Sequence, residues 1–332
     1  MFSVVIPLYN KANYVEKAVR SVLGQTFRNF EVIVVDDGST DDGFARLQSL
    51  QDDRLRLIPQ KNAGVSVARN NGVKTAQYDY IAFLDADDWW DERFLEQMEK
   101  LISYYPEAAL YATNYYSVKN RKNRPAVIGV ADDFQRGYID YFDVYAKTFW
   151  APVNCSYAVI KKTIFVEEKG FQPSLRMGED LDLWLRVALK HKVGYLNQFL
   201  AYSNQDAETS QRALGAEKRW KKEEHVIFNL GYLNEYENQL PTLKYLLDGL
   251  RLRSLISFYL QNAYSKDIRE IVKTIDFSRH PFVYRFVYTW PKVVVWGYFS
   301  GKKYGSCVKQ ILIRTAHKVR NYSNMIPKII HY

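Results

Sequence analysis

The feature that most limits how this chain folds is a repeated unit near its N-terminus: a short apolar run, a polar or acidic stop, then a segment of helical periodicity. Residues 2–8, 30–35, 54–58 and 80–84 are such runs, of the kind that forms strands buried in an α/β sheet. After the first run, Val15, Ala18, Val19 and Val22 recur at i, i+3, i+4 and i+7, with Asn13 placed to cap the helix and Gly24 to end it. Phe44, Leu47 and Leu50 mark a second helix, for which Ser39 or Thr40 is the expected cap, and Gly64 opens a loop leading into a third. This alternation predicts a largely parallel sheet with right-handed crossovers. Ligands of open α/β sheets bind outside the carboxyl ends of the strands, so the residues there carry the functional signal.

The run 80–84 ends in Asp85, Asp87 and Asp88. Like charges this close cost free energy unless something positive compensates them. Two readings fit. One is a divalent metal held by oxygen ligands and itself carrying an anionic substrate such as a diphosphate. The other is a solvated acidic turn capping the helix that begins near Glu92. The run 30–35 also ends in acid, Asp36-Asp37-Gly38-Ser39. That is either a structural turn or a carboxylate accepting a hydrogen bond from an N–H of a nucleotide base. Farther on, Gly178-Glu179-Asp180 precedes an apolar helical run, where acids offset the positive end of a helix. Neither G-x-G-x-x-G nor G-x-x-x-x-G-K-S/T occurs, so NAD and P-loop chemistry are not indicated.

With 332 residues the chain has room for two domains, and its 47% apolar and 25% charged content excludes wholesale disorder. Cys155 and Cys307 are too far apart in sequence to suggest a disulfide framework or a metal pair, which fits a reducing cytosol. No basic leader precedes the first strand, and no uninterrupted apolar stretch reaches the ~18 residues of a membrane span. The net charge of +9 is uneven: after Asp276 there is no Asp or Glu, while Lys and Arg recur from Arg279 to Lys328. Such a tail calls for an anionic partner. Residues 220–275 have a helical pattern in which Leu243, Leu246, Leu247 and Leu250 share a face. Residues 282–299 are aromatic and apolar, broken by Arg285, Pro291 and Lys292, and residues 302–320 are basic and amphipathic. Trp and Tyr beside Lys and Arg suit the headgroup region of a membrane surface; the alternative is a helical subdomain with a solvated basic face. No nucleic-acid-binding module is recognisable, so nucleic acid is not the expected partner.

Five blocks appear in order. They are Val5-Ile6-Pro7-Leu8-Tyr9-Asn10, Val34-Val35-Asp36-Asp37-Gly38-Ser39-Thr40-Asp41, Asn62-x-Gly64-x-Ser66-x-Ala68-Arg69-Asn70, Phe83-Leu84-Asp85-Ala86-Asp87-Asp88 and Gly178-Glu179-Asp180-Leu181-Asp182-Leu183-Trp184-Leu185-Arg186. Together they resemble the family 2 glycosyltransferases of the GT-A fold, bacterial surface-polysaccharide type. The resemblance implies an α/β nucleotide-diphospho-sugar transferase fold, a Rossmann-like, mixed and mostly parallel sheet flanked by helices, with a helical C-terminal extension. It implies a catalytic domain over 1–215, split into a nucleotide-sugar half at 1–100 and an acceptor half at 101–215, and a basic, aromatic helical region over 216–332.

Roles carry over by position. Pro7 and Tyr9 match the turn flanking the nucleotide, with Tyr9 near the base. Asp37 matches the base-contacting carboxylate, with Asp36 beside it, and Asn62 and Arg69 match the loop lining the nucleotide. Asp87 is the expected direct metal ligand, and Asp85 faces the ribose or a metal-bound water. The metal is Mg²⁺ or Mn²⁺, both hard cations suited to carboxylate and phosphate oxygens. Asp180 is the expected general base of an inverting transfer, with Glu179 in reserve. Residues 202–210 lack a His that many relatives carry, leaving Asp206 or Asn204 as substitutes. Gln211, Arg212, Arg219 and Trp220 do not form the Q-x-x-R-W box of processive members, which favours transfer of a single sugar. The implied donor is a UDP-sugar and the implied acceptor a glycan or lipid-linked sugar. The implied location is cytoplasmic, peripheral on the inner face of a bacterial plasma membrane. The rival reading is a non-catalytic nucleotide- or sugar-binding protein that keeps the fold. A nucleotidyltransferase would need a phosphate loop that Tyr9-Asn10-Lys11-Ala12 does not supply.

Overall fold

The computed structural model describes residues 1–207, 220–292, 294 and 295. The chain divides into two compact units, Met1–Val226 and Ile227–Tyr332.

The first unit is built on one ten-stranded sheet. Its parallel part consists of β1 (Phe2–Leu8), β2 (Phe30–Asp36), β3 (Leu55–Pro59) and β4 (Tyr80–Phe83), in the order β3-β2-β1-β4. Every residue of β1 and β2 is buried, as the unbroken apolar runs require of strands covered on both faces. Helix α1 (Val15–Leu23) buries Val15, Ala18, Val19 and Val22, the stripe read from the sequence. Its expected Asn13 cap does not form: the helix is preceded by Tyr14 with no side-chain cap, and the Lys11 carbonyl accepts from the N–H groups of Tyr14 and Val15. Ser39 and Thr40 likewise do not cap α2 (Gly43–Gln48). Asn10 claims them instead, donating its N–H to the Ser39 hydroxyl at 3.0 Å and accepting from the Thr40 N–H at 2.7 Å. The turns after β1 and β2 are thereby latched to each other, a long-range partner outcompeting a local cap.

The rest of the sheet is mixed. β9 (Ala158–Lys161) runs antiparallel between β4 and β6 (Ala108–Lys119), and β10 (Lys192–Asn204) lies parallel to β6. Short strands β5 (Trp89–Trp90) and β8 (Arg136–Ile139) pair with β10, and β7 (Lys122–Pro125) pairs with β6. Residues 118–124, polar and basic, form a hairpin whose tip residues Asn120 and Arg121 take φ of 52° and 60°, the two left-handed positions that match strand twist. Residues 132–149 contain β8 and then α5 (Tyr141–Thr148), which Asp140 caps by accepting from the N–H groups of Phe142 and Asp143.

Helix α3 (Val65–Thr75) follows β3, α4 (Phe94–Tyr104) follows β5, α6 (Lys162–Glu167) follows β9, and α7 (Glu179–Lys190) precedes β10. An aromatic cluster orients α7. Phe83 at the end of β4 contacts Phe165, Phe171 and Trp184 with ring centroids 5.8, 5.2 and 6.4 Å apart. Trp184 is fully buried. Aromatic contacts of this kind add to their area burial, and here they bring the start of α7 to the carboxyl end of β4.

The second unit contains α8 (Asn234–Gln239), α9 (Pro241–Leu260), α10 (Ser265–Lys273) and α11 (Phe282–Thr289). Leu243, Leu246, Leu247 and Leu250 of α9 are buried together. Arg251 reaches Glu237 through two hydrogen bonds of 2.7 and 2.5 Å, which satisfies both buried charges. No helix among the described residues is long and apolar enough to cross a membrane. The basic segment 302–320, Cys307, and Gln211, Arg212 and Arg219 lie outside the described residues.

Candidate active site

The carboxyl ends of β1, β2 and β4 and the start of α7 converge on one acidic region. Its centre is Arg69 on α3, 4% exposed, which holds Asp85 at 2.6 Å with one guanidinium nitrogen and Glu179 at 2.8 Å with the other. Burial opposes the Arg69 charge, and the Asp85 and Glu179 carboxylates more than offset it, raising its pKa well above the usual arginine value. Asp87 has its own cation, the Lys11 ammonium at 2.6 Å.

Asp88, which the sequence left between metal motif and helix cap, does not cap α4. Helix α4 starts at Phe94, and Asp88 is buried, accepting from the Asn204 N–H at 2.7 Å. Burial, then the charges of Asp87 and Asp85, push its pKa well above the carboxylate range, so it ties the acidic turn to β10. Asp206, one of the two residues offered in place of a missing His, accepts with its carboxylate from the N–H groups of Asn120 and Arg121 at the β6–β7 hairpin tip. Asn204 is committed too, through its N–H to Asp88 and its side-chain oxygen to the Asp206 N–H.

Around β2, Asp37 accepts from the Gln60 amide at 2.7 Å and from the N–H groups of Ala63 and Gly64 at 2.7 and 2.8 Å. A carboxylate has about four acceptor positions, so these donors fix Asp37 and leave it able to accept one more. Its own N–H donates to the Leu8 carbonyl at 2.7 Å, which places it beside Tyr9, 47% exposed at the end of β1. Asp36 is buried and accepts a longer bond, 3.3 Å, from the Ser39 N–H. Pro7 lies buried within β1 opposite Val35, and Asn62 is exposed in the loop before α3. Gly64 has φ 97°, a backbone conformation that strains any side-chain-bearing residue, so this turn needs glycine.

Asp180 accepts from the Leu181 N–H at 2.8 Å and from the Asn154 side-chain amide at 3.2 Å. Burial and the neighbouring Glu179 charge raise its pKa to about 7, against the opposing pull of Arg69. Cys155 lies among the same charges, and burial holds its thiol well above the ordinary range, which leaves it inert as a nucleophile.

Sequence reasoning missed Lys11, Gln60, Asn154 and Ser156. Ser156 accepts from the Asp85 N–H at 3.2 Å, and its carbonyl accepts from the buried Trp90 indole at 2.6 Å. The one available signal was adjacency of Lys11 to Tyr9-Asn10.

The acidic region fits a hard divalent cation. Asp85 and Asp87 are paired with Arg69 and Lys11, and they keep side-chain exposures of 32% and 18% toward solvent. Carboxylate oxygens are the donors that Mg²⁺ and Mn²⁺ select. Among the described residues, the three side chains close enough together to share one metal ion are Glu167, Glu168 and His191 near the far end of α7, where Glu168 is paired with Lys190 at 2.9 Å.

Comparison with known proteins shows the family and the fold. The profile of glycosyl transferase family 2 matches residues 3–165. TuaG of Bacillus subtilis, named for teichuronic acid biosynthesis, is 30% identical over 231 residues, 66% of this chain and 86% of TuaG. Glycosyltransferase GlyA of Streptococcus pneumoniae serotype 4 is 32% identical over 207 residues, 60% of this chain and 30% of GlyA. The chain spans about a third of the length of several such relatives. Among solved structures, S. aureus TarS 1–349 in complex with UDP-GlcNAc superposes with a TM-score of 0.65 at 17% identity, covering 84% of this chain and 82% of that one. The fold is therefore the GT-A type, with its mostly parallel sheet flanked by helices and a helical C-terminal region. With its acids at the strand ends and a relative matched over most of its length, the chain belongs to glycosyl transferase family 2.

Proposed function

We propose that the chain is an inverting glycosyltransferase that moves one sugar from a UDP-sugar to a glycan or lipid-linked acceptor, with Asp180 as general base. One observation carries the reading. A carboxylate whose pKa is raised to about 7 sits beside Glu179, which Arg69 joins directly to Asp85. Asp37, fixed by three donors with one acceptor position left, receives the base N–H, and Tyr9 flanks the base. Asp87 and Asp85 would hold a divalent cation, which would neutralise charge on the leaving diphosphate. Asp180 takes the proton of the acceptor hydroxyl as that oxygen attacks the anomeric carbon, and a base poised near the working pH serves this best. The amide of Asn154 and the N–H of Leu181 hold its carboxylate in place. Glu179 is engaged by Arg69, which favours one acid acting as base over two acting in a double displacement. The TarS complex with UDP-GlcNAc supports UDP as the nucleotide.

The setting we propose is surface-glycan assembly on the inner face of the bacterial membrane. Phe282 is 72% and Trp290 50% exposed, Arg285 is exposed between them, and no acid follows Asp276; an aromatic and basic face suits an anionic headgroup layer. The direct test of the catalytic assignment is Asp180→Asn, which should keep UDP binding and lower turnover by ~10²–10⁴. Near wild-type turnover would rule Asp180 out as the base.

A further inference from the structure

We infer that Lys11 is a resident counter-ion of Asp87 that a divalent cation must displace, so that metal loading is held back until the nucleotide diphosphate arrives. The inference rests on the donor-site reading above and adds a device to it. The Lys11 ammonium is 2.6 Å from Asp87 Oδ2, with side-chain exposures of 12% and 18%, so the pair is largely out of water. A pair in that setting holds more strongly than a surface ion pair. The root of the side chain is fixed: the Asn10–Ser39–Thr40 latch precedes it, Ala12 N–H donates to Asp41 at 2.9 Å, and the Lys11 carbonyl starts α1.

The two cations of the site differ in kind. Arg69 is shared between Asp85 and Glu179 and packs over the Phe171 ring at 5.2 Å, which leaves it no freedom. Lys11 has one carboxylate partner on a flexible stem, and the Tyr14 ring lies 5.8 Å from its ammonium as an alternative resting place. A divalent cation bound directly to Asp87 would repel an ammonium at that distance, so one must leave. The diphosphate brings negative charge that holds both cations at once, which couples nucleotide and metal binding in both directions.

The test is Mn²⁺ affinity of the nucleotide-free full chain, read from the free-Mn²⁺ electron paramagnetic resonance signal and repeated with UDP. Lys11→Met and Lys11→Gln should tighten Mn²⁺ binding by ~10-fold or more without UDP, and UDP should then add little further tightening. Lys11→Arg, which keeps the charge, and Lys74→Met, on the exposed side of α3, should match wild type, whose Mn²⁺ affinity rises steeply with UDP. Equal or weaker Mn²⁺ binding by Lys11→Met, with UDP bound normally, overturns the counter-ion role and leaves the donor site standing. Failure of wild type and variants alike to bind either Mn²⁺ or UDP overturns both.

Discussion

Arg69 and Glu179, 110 positions apart in sequence, form a 2.8 Å ion pair in which the arginine is 4% exposed, and the same guanidinium holds Asp85 at 2.6 Å. One side chain on α3 thus sets the spacing between the acidic turn after β4 and the start of α7. Arg69→Met should destabilise the protein by ~3–5 kcal/mol, because it leaves two carboxylates without their buried cation. Arg69→Lys should not restore stability fully, since a point charge cannot span both acids. Urea unfolding of the three proteins checks this; a loss under ~1 kcal/mol would make the pair incidental.

Asp180 gives a pH prediction with a definite sign. A base must be unprotonated to act, so kcat/KM should rise with pH through about 7 and level off above it. Stability runs the other way. The folded-state pKa lies above that of an ordinary aspartate, so the folded protein binds the extra proton and this contribution is lost as pH rises through about 7. Asp180→Asn should therefore melt higher than wild type at pH 8, the gap closing toward pH 4. Parallel melting curves at both pH values would contradict the assignment of a raised pKa to this group.

Asp37→Ala removes the acceptor for the Gln60 amide and for the N–H groups of Ala63 and Gly64. Leaving such donors without a partner costs about 1–3 kcal/mol each where water cannot reach them. We expect UDP affinity to fall at least ~10-fold, with uridine affected as strongly as UDP because the contact is to the base. Isothermal titration with uridine and UDP decides it: a loss confined to UDP would move Asp37 from the base to the diphosphate.

Trp290 and Phe282 are half or more exposed. Phe282→Ser with Trp290→Ser should weaken sedimentation with anionic vesicles, and raised salt should weaken wild-type binding further. Wild-type binding that ignores both lipid charge and salt would count against surface docking.

Much of this architecture could be read in the sequence, for a physical reason. Strands buried on both faces need unbroken apolar runs, so β1, β2 and β4 announce themselves, and the acids at their ends stand out against that background. The stripe of α1 was legible for the same reason. What could not be read depends on partners distant in the chain. Asn10 takes Ser39 and Thr40 away from their expected capping role across 29 and 30 positions. Lys11 meets Asp87 across 76 positions and Asn154 meets Asp180 across 26. The β6–β7 hairpin was hidden because Lys119, Asn120, Arg121 and Lys122 lack the β-branched and aromatic residues that mark strands. Asp88 reads like its neighbours Asp85 and Asp87, and only its burial against Asn204 separates it from them.

The measurement that bears most directly on the central claim is calorimetric titration of UDP, GDP and dTDP into wild type and Asp87→Ala, each with Mn²⁺ and with EDTA. UDP should bind wild type in Mn²⁺, and this binding should be lost or sharply weakened both by EDTA and by Asp87→Ala. Absence of binding by any of the nucleotides, or UDP binding indifferent to metal and to Asp87, would contradict it.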